Sequence, residues 1–162
     1  IQMEEFTKSD IADFWAAHWA YLNRDIFPFA ALGEPMDEED QAYFKSADYR
    51  GTLERYMDRS PDTVHMLRFV RDGVCIGYAQ YITYKSEDNK CFILDFWLLP
   101  PFRGQGAGKA CFRALCARAE ADGARYYEIN VSNERSRRFW QSLGFMDDGL
   151  DEWGMPLMQK RG

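Results

Sequence analysis

The sequence lacks several patterns that would place it in other classes of protein. Its four cysteines form no C-x-x-C pair and its two histidines, His18 and His65, stand far apart, so no zinc site is predicted. No apolar run approaches the roughly 20 residues that span a bilayer, and the first ten residues hold no apolar core of a secretory signal. We therefore expect a cytoplasmic protein with free thiols, no metal and no membrane contact.

Basic charge is also scarce. Lysine and arginine total 20 against 26 acidic residues, for a net charge of −6 and a pI near 5.0. This balance argues against a nucleic-acid partner, because non-specific binding to phosphate backbones relies on basic surface. The composition, 46% hydrophobic and 16% aromatic, is that of one globular domain over residues 1–162.

Hydrophobic periodicity predicts the elements in the order β-α-α-β-β-β-α-β-α-β-β, a mixed α/β domain. The second helical stretch, 36–57, contains Gly51, which argues against one long helix. The dipeptide Asp72-Gly73 between two β-rich runs is a hairpin signal. The run "CFILDFWLL", 91–99, is almost wholly apolar and predicts a strand buried on both faces.

A segment with three glycines, "PPFRGQGAGKA" at 100–110, follows that strand and opens a helix-like pattern. It is not a P-loop, because Arg103 stands where the first glycine belongs and Ala110 replaces the hydroxyl residue. It is not a dinucleotide loop either, because Lys109 or Cys111 would take the third glycine position. Two interpretations of the segment are left: a plain turn, and an anion-binding loop of another kind.

The pattern [RQ]-x-x-G-x-[GA] fits the same segment at Arg103, Gly106 and Gly108. Its place between a buried strand and a helix suits an anion site, because backbone N–H groups of a loop and first helical turn converge on an anion. Glycine lets that backbone approach a pyrophosphate without side chains in the way.

A second motif lies some thirty residues downstream. "NERSRRFWQSLGF" fits N-x-x-[AS]-x-x-x-Y-x-x-x-G-F at Asn133, Ser136, Gly144 and Phe145. With the glycine loop, it makes the chain resemble the GNAT family of N-acetyltransferases over nearly its whole length, most specifically from about 92 to 145. The resemblance implies a mostly antiparallel central sheet flanked by helices, and acetyl-coenzyme A (acetyl-CoA) as cosubstrate.

The resemblance also implies which residues hold the cosubstrate. Backbone groups of the buried strand would pair with the pantetheine arm, the loop would hold the pyrophosphate, and an asparagine would contact the pantetheine. These residues are Phe96, Trp97 and Leu98 on the strand, Arg103, Gly104, Gln105, Gly106, Ala107, Gly108 and Lys109 in the loop, and Asn133. Two alternatives are left open. The apolar strand could equally be part of the hydrophobic core, and the side chains of Arg103 and Lys109 could equally be solvated rather than in contact with phosphate.

Two carboxylates are candidates for the base that deprotonates the acceptor amine: Glu128, itself or through a water that it orders, is the first candidate, and Asp95 is the second. Glu128 lies five residues before Asn133, where ribosomal-protein N-terminal acetyltransferases of the family carry a glutamate, and bulky neighbours favour its burial. Asp95 interrupts the apolar run, and related enzymes place an acid on this strand too. For Glu128, the alternative is a strand carboxylate that faces water or pairs with a nearby arginine. For Asp95, it is a cap on a neighbouring backbone group.

Trp140 departs from the family pattern. It stands where many members carry a tyrosine that protonates the departing thiolate, and an indole N–H has no usable acidity. Another group, such as Tyr126 or Tyr127, would serve instead, or the thiolate would leave unprotonated, or catalysis would be slow.

We therefore expect direct acetyl transfer from acetyl-CoA, in a ternary complex, to a primary amine of a small molecule or peptide, with a homodimer possible. The alternatives are a coenzyme A-binding regulatory module without transfer, and an acyltransferase with another acyl donor. Five acids between residues 34 and 40 would attract an amine, but they equally suit a helix N-terminus.

Overall fold

The computed structural model describes residues 1–29 and 34–161, which form one sheet with helices on both faces. The seven strands of this described part are Gln2–Glu5 (β1), Val64–Arg71 (β2), Val74–Tyr84 (β3), Lys90–Leu98 (β4), Tyr126–Asn130 (β5), Met146–Leu150 (β6) and Pro156–Arg161 (β7). Its α-helices are Ile11–Tyr21 (α1), Glu38–Lys45 (α2), Ala47–Tyr56 (α3), Ala107–Ala121 (α4) and Glu134–Ser142 (α5). A π-helical segment, Leu22–Ile26, and a 3-10 turn, Phe27–Phe29, extend α1.

The sheet has the strand order β1-β2-β3-β4-β5-β7-β6. Every neighbouring pair is antiparallel except β4 and β5, which are parallel. Helices α4 and α5 pack on one face, and α1 to α3 pack on the other. The expectation of a mixed α/β fold with a mostly antiparallel sheet is confirmed.

The helical stretch after α1 is broken, but not at the predicted residue. The break lies at Ser46, which has an extended backbone and accepts a hydrogen bond from Tyr49 N at 3.1 Å, capping α3. Gly51 lies inside α3. A side chain that satisfies the free N–H groups of a new helix determines the break more strongly than glycine's low helix propensity.

The acids of residues 37–40 form the start of α2. Asp37 caps the helix by accepting a hydrogen bond from Asp40 N at 2.8 Å, and Glu38 and Glu39 lie in its first turn. Their carboxylates thus complement the positive end of the helix dipole, as the helix-terminus interpretation expects.

A β-bulge in β4 changes which face its side chains occupy. Gln80 pairs with Asp95 and Tyr81 pairs with Ile93, so Leu94 is an extra residue. Pairing between β4 and β5 ends at the same place, with Ile93 opposite Ile129. Beyond Ile93 the two strands part, and the second half of β4 has one edge open.

No helix of the described residues is long and apolar enough to cross a membrane. Across the same ranges, no three potential metal-ligating side chains come together. The assignment of residues 1–162 to one domain stays a prediction.

Candidate active site

A cavity of about 740 Å³ opens where β4 and β5 part. It lies between the end of α1, the second half of β4, the glycine loop and the first turns of α5. Its lining residues are Tyr21, Asp25, Ile26, Phe29, Phe96, Trp97, Leu98, Arg103, Gly104, Gly106, Gly108, Lys109, Ser132, Asn133, Glu134, Arg135, Ser136, Phe139, Trp140 and Ser142.

The N-terminus of α4 points free backbone donors at this cavity. Gly106 caps the helix in the left-handed conformation (φ 75°), and no side chain bonds to the first N–H groups of α4. Gly104 is also left-handed (φ 79°), and nothing lies within 4 Å of where a Cβ would stand at either glycine. A 15-residue helix with its first donors unsatisfied and its approach clear of side chains suits an anionic ligand.

Gly108 is needed for a different reason. A Cβ at this position would stand 2.9 Å from Cε1 of Phe139, closer than carbon atoms approach. Its lack of a side chain lets the first turn of α4 pack against α5, which brings the two motifs of the sequence to the same cavity.

Arg103 bonds to the protein rather than projecting freely into the cavity. Its Nε donates to the carbonyl oxygen of Leu98 at 2.9 Å, and its Nη2 donates to Oδ2 of Asp25 at 2.6 Å. The guanidinium therefore ties the glycine loop to the π-helical segment after α1.

Two other cations line the cavity without an ion-pair partner among the described residues, Lys109 and Arg135. Both side chains are exposed. Arg135 is not among the residues predicted from the sequence. Its position could have indicated a role at the cavity, because it lies two residues after Asn133, at the start of a helix near the loop. Of the other predicted loop residues, Gln105 is exposed outside the lining and Ala107 is buried in the core.

Asn133 and Trp140 lie on α5 and both line the cavity. Oδ1 of Asn133 accepts a hydrogen bond from Ser136 N at 2.8 Å and caps the helix. Trp140 is buried, and its ring packs edge-on against Phe96 with 5.2 Å between ring centroids. At the position of the family's tyrosine, this chain therefore has an apolar wall.

The open half of β4 contributes to both faces of the sheet. Phe96 and Leu98 pack with the α4 side, whereas Trp97 packs with the α1 side. The Trp97 ring stacks on Tyr21 with centroids 4.3 Å apart and planes 6° apart. All three predicted strand residues line the cavity.

Asp95 lies in a buried polar cluster on the α1 side of the sheet. Its Oδ2 is 3.1 Å from Nε2 of His18 and also accepts a hydrogen bond from Nε2 of Gln80. His18 and Gln80 are 2% and 0% exposed, and the Asp95 side chain is 11% exposed. Asp95 therefore bonds to two side chains, and it does not cap a neighbouring backbone group.

Glu128 lies on β5, buried, with both carboxylate oxygens bonded. Lys90 Nζ is 3.1 Å from Oε1, and Gln159 Nε2 donates to Oε2 at 3.3 Å. Its ion pair is thus with a lysine rather than an arginine. The structure does not bring Glu128 into the described cavity lining, and its catalytic role stays a prediction.

The two tyrosines named as replacements for the family's acid bond elsewhere. Tyr126 donates to Asp88, and Tyr127 donates to Glu120 at 3.0 Å. Burial, and next the hydrogen bond to Asp88, raise the pKa of Tyr126 to about 12. Tyr21 is the tyrosine that lines the described cavity, and burial raises the pKa of its phenol well above the ordinary value.

The fold is thus an α/β domain in which a parallel strand pair separates beside an uncapped helix N-terminus. Comparison with known proteins identifies its family. The model of the Acetyltransferase (GNAT) family matches residues 19–145, so the chain belongs to this family. The prediction made from the two motifs is confirmed.

Individual relatives resemble parts or all of the chain. An uncharacterized N-acetyltransferase of Mycobacterium tuberculosis is 32% identical over 80 residues, covering 48% of this chain. The chain matches about half (50%) of that relative's length.

Two solved structures share the fold. A PaiA N-acetyltransferase of Thermoplasma acidophilum, in complex with coenzyme A, has a TM-score of 0.70 at 17% identity and covers 99% of this chain and 98% of its own. YncA of Salmonella typhimurium, a putative acetyltransferase with acetyl-CoA, has a TM-score of 0.60 at 18% identity and covers 99% of this chain and 92% of its own.

Proposed function

We propose that this protein transfers an acetyl group from acetyl-CoA to a primary amine of a small molecule or peptide, by direct transfer in a ternary complex. The observation that carries the proposal is the uncapped N-terminus of α4, which opens through left-handed glycines onto the cavity beside the free edge of β4. Two of the solved structures that share this fold are complexes with coenzyme A or acetyl-CoA.

The described residues fit such a cosubstrate. Backbone N–H groups of the glycine loop and first turn of α4 suit the pyrophosphate, and Lys109 and Arg135 add positive charge at the cavity. The open edge of β4 at Phe96, Trp97 and Leu98 offers backbone groups to the pantetheine arm. Acetyl-CoA supplies the acetyl group as a thioester.

We assign the base to Asp95, with Glu128 as the second candidate. Like Glu128, Asp95 is not among the residues that line the described cavity, but it directly precedes the three residues of β4 that are, and one of its oxygens has no hydrogen bond among the described residues. Both oxygens of Glu128 are bonded, so this carboxylate must exchange partners before it accepts a proton. A base needs a free lone pair within reach of the proton it takes.

The leaving thiolate is not protonated by Trp140 in this proposal. Burial, and then the charges of Asp95 and Asp25, raise the pKa of the Tyr21 phenol. Tyr21 therefore keeps its proton, and in this proposal it donates a hydrogen bond to the thiolate rather than a proton. In the balanced reaction, the N–C bond forms and the C–S bond breaks. The proton taken by Asp95 passes to solvent, and the thiolate takes one from solvent.

The proposal is tested in two stages with the whole chain. Calorimetry measures binding of coenzyme A and acetyl-CoA, and a thiol-release assay then measures transfer to named amines: kanamycin, spermidine, lysine and an alanyl peptide. We expect micromolar-range binding of the cofactor and release with at least one amine. No binding at millimolar concentration would exclude the proposal.

A second candidate is a regulatory module that binds coenzyme A without transferring an acyl group. The apolar wall of Trp140 at the position of the family's acid favours it. Binding with no thiol release from acetyl-, propionyl- or succinyl-coenzyme A on any amine of the panel would support this module. Faster release from a donor other than acetyl-CoA would identify another acyltransferase.

A further inference from the structure

A second cavity, of about 310 Å³, lies on the α1 side of the sheet, among helices α1 to α3. Helix α1 contributes three rings to it, α2 a ring and a cation, and α3 a second cation. Its described lining is Trp15, His18, Trp19, Phe44, Lys45 and Arg50. None of these residues lines the larger cavity beside the glycine loop, so the proposed acetyl transfer leaves the second cavity without a role.

The charge of the second cavity is opposite to that of the chain. Lys45 and Arg50 supply two positive charges, and neither has an ion-pair partner among residues 1–29 and 34–161. Acids outnumber bases by 26 to 20 in the whole sequence, yet the described lining holds no acidic side chain. Because these cations are not neutralised locally, the cavity favours an anion and disfavours an amine.

The rest of the lining is aromatic. Three of its rings stand at positions 15, 18 and 19, a spacing that places them on one face of α1. Nζ of Lys45 lies 4.0 Å from the centroid of the Trp19 ring. Phe44 and His18 both pack against the Tyr49 ring, with centroids 5.1 and 6.2 Å apart. Apolar walls with a few polar groups are typical of small-molecule sites, and this volume lies near the lower end of their range, so a compact, flat occupant fits best.

A group of packed rings separates the two cavities. The His18 ring lines the second cavity, and its centroid lies 5.9 Å from that of Trp97 and 6.3 Å from that of Tyr21. Trp97 and Tyr21 stack on each other and line the larger cavity. Since His18 lines one cavity and the other two rings line its neighbour, a molecule in the second cavity is expected to be separate from the acceptor in the larger one.

We infer that the second cavity binds a small aromatic carboxylate, distinct from the cofactor and from the acceptor amine. Its carboxylate bonds to Arg50, because a guanidinium suits two parallel hydrogen bonds to such a group, and Lys45 adds positive charge. Its ring packs against the indoles of Trp15 and Trp19. The inference goes beyond the proposed function, since it concerns binding alone and requires no acetyl transfer.

Calorimetry with the whole chain tests the site, with benzoate and indole-3-acetate as probes and their amides as neutral analogues. We expect submillimolar binding of at least one anion, and about tenfold weaker binding of its amide. Arg50→Gln is expected to weaken binding of the anion about tenfold, as for a lost charge-assisted hydrogen bond, and Lys45→Gln about threefold, as for an exposed charge. Arg55→Gln is the matched control, because Arg55 is exposed on the same helix outside the described lining.

Three results would overturn the inference: no binding of either anion at millimolar concentration, equal binding of an anion and its amide, or equal losses in Arg50→Gln and Arg55→Gln. Lysine and cadaverine, which is lysine without its carboxylate, are then added as competitors. Anion binding that neither competitor changes supports a separate ligand. Displacement by lysine but not by cadaverine would assign the cavity to a carboxylate of the acceptor and overturn the separation. None of these results depends on thiol release, so they stand even if the proposed transferase function fails.

Discussion

The two faces of the sheet use different means to build a site. On the α4 side, the core holds mainly aliphatic and aromatic side chains, and the features offered to a ligand are backbone donors at Gly104, Gly106 and the first turn of α4. On the α1 side, the core is rich in tyrosine and tryptophan, and the feature offered is a side chain, the carboxylate of Asp95, whose Oδ1 has no hydrogen bond among the described residues.

This difference matches what each half must recognise. A pyrophosphate is the same in every molecule of cofactor, and backbone N–H groups with a helix dipole bind it whatever the neighbouring side chains are. An acceptor varies between enzymes, so side chains determine its recognition. Strand β4 supplies both halves, because its residues after the bulge alternate between the faces.

The strongest test of the comparison asks which carboxylate on the α1 side of the sheet is the base. Asp95→Asn is expected to lower kcat about 100-fold or more, the range for loss of a general base, with coenzyme A affinity unchanged. Glu128→Gln is expected to cost less than about 10-fold, because Lys90 and Gln159 already hold its carboxylate. Thiol-release kinetics measure both, and the reverse order of effects would assign the base to Glu128.

A second test separates backbone strain from ligand binding on the α4 side. Gly106 and Gly149 both have φ 75°, and no atom lies within 4 Å of where a Cβ would stand at either position, so an alanine at either costs about 1 kcal/mol of stability. Only Gly106→Ala is expected to weaken coenzyme A binding, by about 10-fold. Denaturant unfolding and calorimetry measure the two effects. Equal affinity in both variants would contradict a role for the helix N-terminus.

A third test addresses the contact between the two halves. Arg103→Lys removes the paired bonds to Asp25 and the bond to Leu98, and is expected to lower the free energy of unfolding by about 1–2 kcal/mol. Arg137 also donates two hydrogen bonds to one carboxylate, that of Asp147, but this pair is more exposed than Arg103 and Asp25. Arg137→Lys is therefore expected to lower the free energy of unfolding less than Arg103→Lys does. Urea titrations compare them, and equal losses would mean that Arg103 does not join the halves.

The smallest expected effect concerns the exposed cations of the cavity. Lys109→Gln and Arg135→Gln are each expected to weaken coenzyme A binding about threefold at low salt, and less at high salt, because exposed charges are screened. Arg138→Gln is the control, since Arg138 is exposed outside the described lining. Calorimetry at two ionic strengths measures the change, and a similar loss in the control would indicate a general charge effect.

The α4 half can be predicted from the sequence because its signals are local. A buried strand, a glycine loop and a helix follow one another within thirty residues, and each leaves its own periodicity. The Asp72-Gly73 hairpin is equally clear, and both residues have positive φ (52° and 78°).

The α1 half cannot be predicted in the same way. His18 stands 77 residues from Asp95, and Arg103 stands 78 from Asp25, so no spacing rule relates either pair. An isolated histidine within an aromatic run favours core packing. The bulge at Leu94 leaves no signal in an apolar run, although it decides which face Asp95 occupies.

The bulge keeps two adjacent residues of β4 on one face of the sheet. Leu94 packs with the α1 side, and Asp95, the next residue, bonds to His18 on the same side. If the strand paired regularly through Leu94, every later side chain would exchange faces, and the carboxylate of Asp95 would leave His18. Because Gln80 pairs with Asp95 and Tyr81 pairs with Ile93, deletion of Leu94 would restore regular pairing and leave Asp95, Phe96 and Leu98 on their present faces. The bulge thus acts as a half-period phase shift, which sets the orientation of the second half of the strand without any change in its hydrophobic composition.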